Sequence, residues 1–154
     1  MSVEYRIVEW LAYAADDPHQ ARNEWIERGV TLLRCGRRFG VVRIPADLVH
    51  AAMGGDEFTP EELHSNLDGP VIHDTPEGPY WVLIPGHAGL VWDEGDDTPP
   101  LGSNHYLGVP SLNRTQPPGL HWAVAPRFDG DVCRPETVRK FIARARRCLA
   151  AVDA

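Results

Sequence analysis

Apolar residues Val3, Ile7, Trp10, Leu11 and Ala14 recur at helical spacing, which predicts an amphipathic helix over residues 3–15 with Glu4, Arg6 and Glu9 outward. Asp16-Asp17-Pro18 stops it and starts a second, because Asp17 can cap free backbone N–H groups and proline suits a first helical turn. Gly29 should end that helix, with Trp25 and Ile26 among its buried residues and Trp10 and Trp25 as core anchors. Val30–Arg34 and Phe39–Ile44 read as two strands of a hairpin joined by Cys35-Gly36-Arg37-Arg38.

Beyond Pro45 the pattern predicts a short helix from Ala46 to Met53, closed by Gly54-Gly55. Thr59-Pro60-Glu61-Glu62 has the form of a capping box and opens another short helix to about Asn66. Val71–His73 and Tyr80–Ile84 form a second hairpin around Thr75-Pro76-Glu77-Gly78. Leu90-Val91-Trp92 reads as a brief strand, and residues 93–100 as an acidic surface loop. Asn104–Val109 and Leu120–Ala125 are further strands, separated by an extended loop that carries Arg114. A C-terminal helix opens at Pro135, with Val138, Phe141, Ile142, Ala145, Leu149 and Val152 as its apolar stripe. The expected fold is a single α+β domain over residues 1–154, a central, mainly antiparallel sheet flanked by N-terminal helices and a C-terminal helix.

Composition narrows the chemistry. No apolar run approaches a bilayer-spanning length, and Met-Ser-Val-Glu-Tyr-Arg is not a basic region followed by an apolar one, so a cytoplasmic protein with no membrane partner is expected. Cys35, Cys133 and Cys148 lack metal or thioredoxin spacing and are expected as reduced thiols. The net charge of −7 opposes general affinity for nucleic acid. That charge is uneven: residues 134–154 carry +4, so residues 1–133 carry −11. The basic face of the last helix, with Arg139, Lys140, Arg144, Arg146 and Arg147, is expected to be solvated.

Several reaction classes find no support. Ser65, Ser103 and Ser111 lack a glycine-flanked nucleophile elbow, and Gly36 to Gly40 fits neither a P-loop nor the dinucleotide fingerprint. Asp93, Glu94, Asp96 and Asp97 do not match a calcium-binding loop. No histidine pair has zinc-hydrolase spacing; folding could gather His73, His105 and His121 on one sheet face, and a histidine-based metal enzyme is the third reading. No catalytic residue, metal ligand or cofactor is assigned. The strongest candidate surface is Leu33 to Pro45, with its four arginines. Arg37, Arg38 and Arg43, joined by Arg114, could hold an anion, a nucleotide or single-stranded nucleic acid through guanidinium forks.

Several stretches together carry a family resemblance. They are Trp10-Leu11-Ala12-x-Ala14-Ala15, Trp25 with Gly29, Cys35-Gly36-Arg37-Arg38-Phe39-Gly40-Val41-Val42-Arg43-Ile44-Pro45, Gly69-Pro70-Val71, Tyr80-Trp81-Val82-Leu83-Ile84-Pro85-Gly86 and Leu107-Gly108-Val109-Pro110. In that order they resemble small actinobacterial proteins related to the N-terminal domain of bifunctional DNA primase/polymerases. The resemblance implies an α+β fold with a central antiparallel sheet. It also implies that an active member would carry Asp-x-Asp or Asp-x-Glu at the end of a strand to hold divalent metal. The corresponding strand here has Arg43 and Pro45 where those carboxylates belong. The family's phosphate-binding histidine is missing before Tyr80, and His105, in Gly102-Ser103-Asn104-His105, comes too late in the order. Two-metal phosphoryl transfer needs the missing oxygens. The resemblance therefore implies a non-catalytic binding or regulatory module, a pseudoenzyme whose partner is another protein. Local nucleic-acid or nucleotide binding through the arginine patch is the second expectation.

Overall fold

A computed structural model describes residues 2–102 and 104–153. Ser103 lies outside the described residues. Helix α1 (Val3–Ala12) is capped by Ser2, whose hydroxyl accepts the Tyr5 N–H at 3.1 Å. It ends before Ala15, because Ala14 and Ala15 turn back through bonds to the carbonyls of Leu11 and Ala12 while staying buried. In α2 (Pro18–Arg28), Asp17 takes the N–H groups of His19 and Gln20, and Gly29 ends the helix at φ 78°. Arg22 grips Glu9 in a two-bonded fork at 2.6 and 2.7 Å and so ties α2 to α1.

The expectation for Ile26 fails: it is 82% exposed. Ala21 and Trp25, one helical turn apart, make the buried line of α2, and Ile26 lies about 100° around the helix from Trp25.

The first predicted hairpin is also wrong. Strands β1 (Val30–Arg34) and β2 (Gly40–Ile44) form where expected but do not pair with each other. β1 pairs antiparallel with a later strand, Tyr106–Pro110, and the two make a separate ribbon. β2 joins a five-stranded sheet, so the turn at residues 35–38 carries the chain from ribbon to sheet. Local alternation specifies a strand and its faces but not its partner.

Helix α3 (Ala46–Met53) follows Pro45, and α4 (Pro60–Leu67) starts with the full Thr59/Glu62 capping box. Strands β3 (Val71–His73) and β4 (Tyr80–Ile84) form the second predicted hairpin, with His73 opposite Tyr80. Where a strand was expected at Leu90-Val91-Trp92, the chain makes a short helical turn, α5 (Gly86–Gly89). Leu90 and Val91 are then exposed, while Trp92 is buried and donates to the Thr98 carbonyl. The acidic loop ends in a two-residue edge strand, β5 (Pro100–Leu101), beside β2. The ribbon strand is β6 (Tyr106–Pro110), and β7 (His121–Val124) pairs with β3. The C-terminal helix is α6 (Pro135–Asp153).

Sheet order is β5-β2-β4-β3-β7, and every ladder is antiparallel, so the α+β expectation holds. Alternate residues of the strands feed opposite cores. Val42, Ile44, Val71, Tyr80, Val82 and Ile84 face α3, α4 and α6. Val41, Ile72, Leu83 and Trp122 face α1, α2 and the β1–β6 ribbon. The stripe of α6 is buried through Ala145, whereas Val152 is 78% exposed. Among the described residues no helix is long and apolar enough to cross a membrane.

Candidate functional site

The arginines singled out from the sequence hold separate positions. Arg37 donates to the Ala15 carbonyl at 3.1 Å and pairs with Asp16 at 3.0 Å. Arg34 reaches the same carboxylate, and the Tyr106 hydroxyl donates to it at 2.7 Å. Those three donors hold the Asp16 carboxyl below the usual carboxylate range, with the Tyr106 hydrogen bond the largest cause. Arg38 lies over the Tyr13 ring, 5.5 Å from its centroid. Arg43 is exposed on β2 opposite Trp81. Arg114 donates to the Arg28 carbonyl and packs over Gly29, so closely that a Cβ there would lie 2.5 Å from its guanidinium. Two of the four guanidinium groups are thus committed to closing the N-terminal region.

The basic face of α6 is also partly engaged. Glu94 and Asp97 of the acidic loop accept from Arg139 at 2.7 Å and Arg146 at 2.6 Å. Arg146 also holds the Glu94 carbonyl, and Arg144 donates to Asn66.

The histidines give a different site. His73 and His121 are opposite one another in the β3–β7 ladder, with ring centroids 5.8 Å apart. His73 stacks flat on Tyr80, centroids 3.7 Å and interplanar angle 4°. From α3, His50 meets the Tyr80 ring edge-on at 6.2 Å, and Phe58 closes the group at 6.3 Å from Tyr80. His105 does not join them; it is exposed beside β6, where its carbonyl accepts from Cys35. Among the described residues, no three or more His, Cys, Asp or Glu side chains are placed to hold a metal ion.

These rings floor a cleft of about 730 Å³ at the end of the sheet. The α3–α4 loop forms one wall and the β3–β4 turn another, and the segment before β7 completes it. A concavity of this size suits a small ligand or a protruding side chain. Asp56, Glu61, Asp74 and Glu77 line it with Arg127 as the single basic residue, so the cleft is electronegative.

Hydrogen bonds set the protonation pattern of its floor. His73 Nδ1 is 3.1 Å from the Pro79 carbonyl, and His121 Nδ1 is 2.8 Å from the Gly119 carbonyl. A carbonyl oxygen only accepts, so each Nδ1 carries the hydrogen, and a neutral ring so held keeps the bare lone pair on Nε2. Burial depresses the His73 pKa, and the neighbouring His121 and His50 push the same way, which keeps His73 neutral. Burial pushes the Tyr80 phenol up to about 12, with Asp56 adding to the shift, so its hydroxyl keeps its proton.

The sequence placed His73 in a hairpin facing Tyr80 but left the cleft unseen, because the neighbours of that pair come from β7, α3 and the α3–α4 loop. The buried thiols lie elsewhere: burial raises Cys35 to about 11 and lifts Cys133 well above its ordinary value, so neither is a thiolate near neutrality. No known protein family, curated protein or solved structure matches this chain.

Proposed function

We propose that this chain is a non-catalytic, primase/polymerase-like binding module, and that it engages a protein partner through the cleft floored by His73, Tyr80 and His121. The observation that carries the reading is the cleft itself: a preformed concavity with an aromatic floor, inward-facing polar atoms and a surplus of carboxylates. Its charge and the net −7 of the whole chain disfavour a polyanion and favour a protein surface.

The strand that resembles the family's metal strand supports the absence of phosphoryl transfer. Arg43 is exposed there, and Pro45 directs the chain into α3 at φ −57° and ψ 147°. Neither residue supplies the hard oxygen ligands that magnesium or manganese requires.

Isothermal titration with magnesium or manganese and nucleoside triphosphates, run beside a primer-synthesis assay, tests this. No metal-dependent nucleotide binding and no product are expected; micromolar binding or any primer would contradict the reading. Fluorescence anisotropy with a single-stranded oligonucleotide at low salt addresses the rival role of Arg37, Arg38 and Arg43. Three phosphate contacts would give a log–log salt slope of about −2. No saturable binding with such a slope is expected.

A further inference from the structure

We infer that the group this cleft takes from its partner is an organic cation, the guanidinium of an arginine or the ammonium of a lysine side chain. The inference rests on the cleft being the binding site and adds the chemistry of what enters it.

Acceptors outnumber donors on the lining. His73 and His121 are each 7% exposed, and each has only its Nδ1 engaged. Tyr80 is 4% exposed, and its hydroxyl has no protein partner among the described residues. No fully buried side-chain nitrogen or oxygen lacks a hydrogen bond, so the two Nε2 atoms and the phenolic oxygen stay accessible, and the cleft is the space their residues line. More than nine-tenths of each residue is out of water, and the one polar atom of each that remains accessible is free for a ligand.

The charges point the same way. Ion pairs among the described residues engage Glu9, Asp16, Asp68, Glu94 and Asp97, and leave Asp56, Glu61, Asp74 and Glu77 unpaired. A guanidinium brings five N–H donors and no acceptor, and an ammonium brings three. Either can donate to an imidazole Nε2 and a carboxylate at once, and the half-buried Phe58 ring adds cation–π attraction. An anionic group would meet four like charges against the single Arg127.

The test is a set of ¹H–¹⁵N titrations of the full chain at low salt with acetyl-Gly-Arg-Gly-amide and its lysine, citrulline and glutamate counterparts. Saturable shifts at Phe58, His73, Tyr80 and His121 are expected with the cationic peptides. The neutral citrulline peptide should bind more weakly by up to about fivefold, since ion pairs of this exposure contribute up to about 1 kcal/mol. The paired substitutions Asp56→Asn and Asp74→Asn should weaken the cation by about the same factor. They should leave the rest of the spectrum in place, because neither carboxylate holds a salt bridge. Tighter binding of arginine assigns the guanidinium, and tighter binding of lysine the ammonium. Equal shifts with citrulline, or shifts with glutamate, would overturn the cation while leaving the cleft a binding site. Silence of both cationic peptides at millimolar concentration would also overturn it. Silence of all four would count against the cleft as well.

Discussion

Trp25 and Trp122 each spend an indole N–H on a carbonyl of the same short stretch: Trp25 on Val109 at 2.9 Å and Trp122 on Pro110 at 3.0 Å. Both bonds are buried, so Trp25→Phe should keep most of the packing but leave the Val109 carbonyl without its donor. A loss of about 1–3 kcal/mol is expected in urea unfolding. His73 gives the residue-scale pH effect. The groups facing it are Tyr80 from β4, His121 from β7, His50 from α3 and Asp74 beside it in its own loop. Its folded pKa lies below the unfolded value near 6.5, so the unfolded chain binds more protons at mildly acidic pH. Its contribution to stability is therefore complete above about pH 6.5 and declines as pH falls through that value towards the folded pKa. Unfolding midpoints measured from pH 8 to pH 5 should fall less steeply for His73→Gln than for the native chain. The contact that buries His73 was partly legible in the sequence, because the β3–β4 hairpin alone sets it opposite Tyr80. The sequence allowed His73, His105 and His121 to share one sheet face, and the β3–β7 ladder brings His121 to His73 while His105 stays apart; that non-local ladder, with its register shift, is what periodicity could not choose.

At the scale of elements, helix ends were the most readable feature, because capping chemistry is local. Gly29, Gly54 and Thr59 all stand where the sequence put them. Gly29 combines a left-handed φ of 78° with the Arg114 guanidinium packed over it. Gly29→Ala should therefore cost more than the approximately 1 kcal/mol of a left-handed alanine alone, and Arg114→Ala should recover part of the difference in a double-mutant cycle. Thr59→Ala removes one side of the α4 capping box, in which the Glu62 N–H donates to Thr59 Oγ1 at 3.1 Å. It should cost about 1 kcal/mol in chemical denaturation. Because Phe58, Pro60 and Glu61 beside it line the cleft, the same change should also weaken ligand binding. Strand partners were the least readable feature. The glycine-containing turn after β1 looks like a hairpin turn, but Cys35 and Phe39 on either side of it both bury in the core beneath α1 and α2. That burial is compatible with β1 pairing to β6 and β2 to β4, and the periodicity alone cannot choose.

Across the whole molecule, charge and topology act together. The acidic loop before β5 lies on the basic face of α6 through the Glu94–Arg139 and Asp97–Arg146 pairs, so part of the positive C-terminal segment is answered within the chain. These pairs are largely exposed, and removing either should change stability by less than about 1 kcal/mol. The carboxylates around the cleft have no such ion pairs among the described residues, and the cleft concentrates their charge. The sequence could show the imbalance between segments but not where folding would focus it, since the lining residues are drawn from separate strands, helices and loops. Cation binding here requires His73 and His121 to present bare Nε2 atoms to that cleft. Side-chain ¹⁵N spectra of the full chain at about pH 7.5, well above an ordinary imidazole pKa, read this directly. Nδ1–H tautomers are predicted for both residues, with Nε2 resonances that move when the arginine peptide is added. Nε2–H tautomers, or Nε2 resonances indifferent to every peptide, would contradict it.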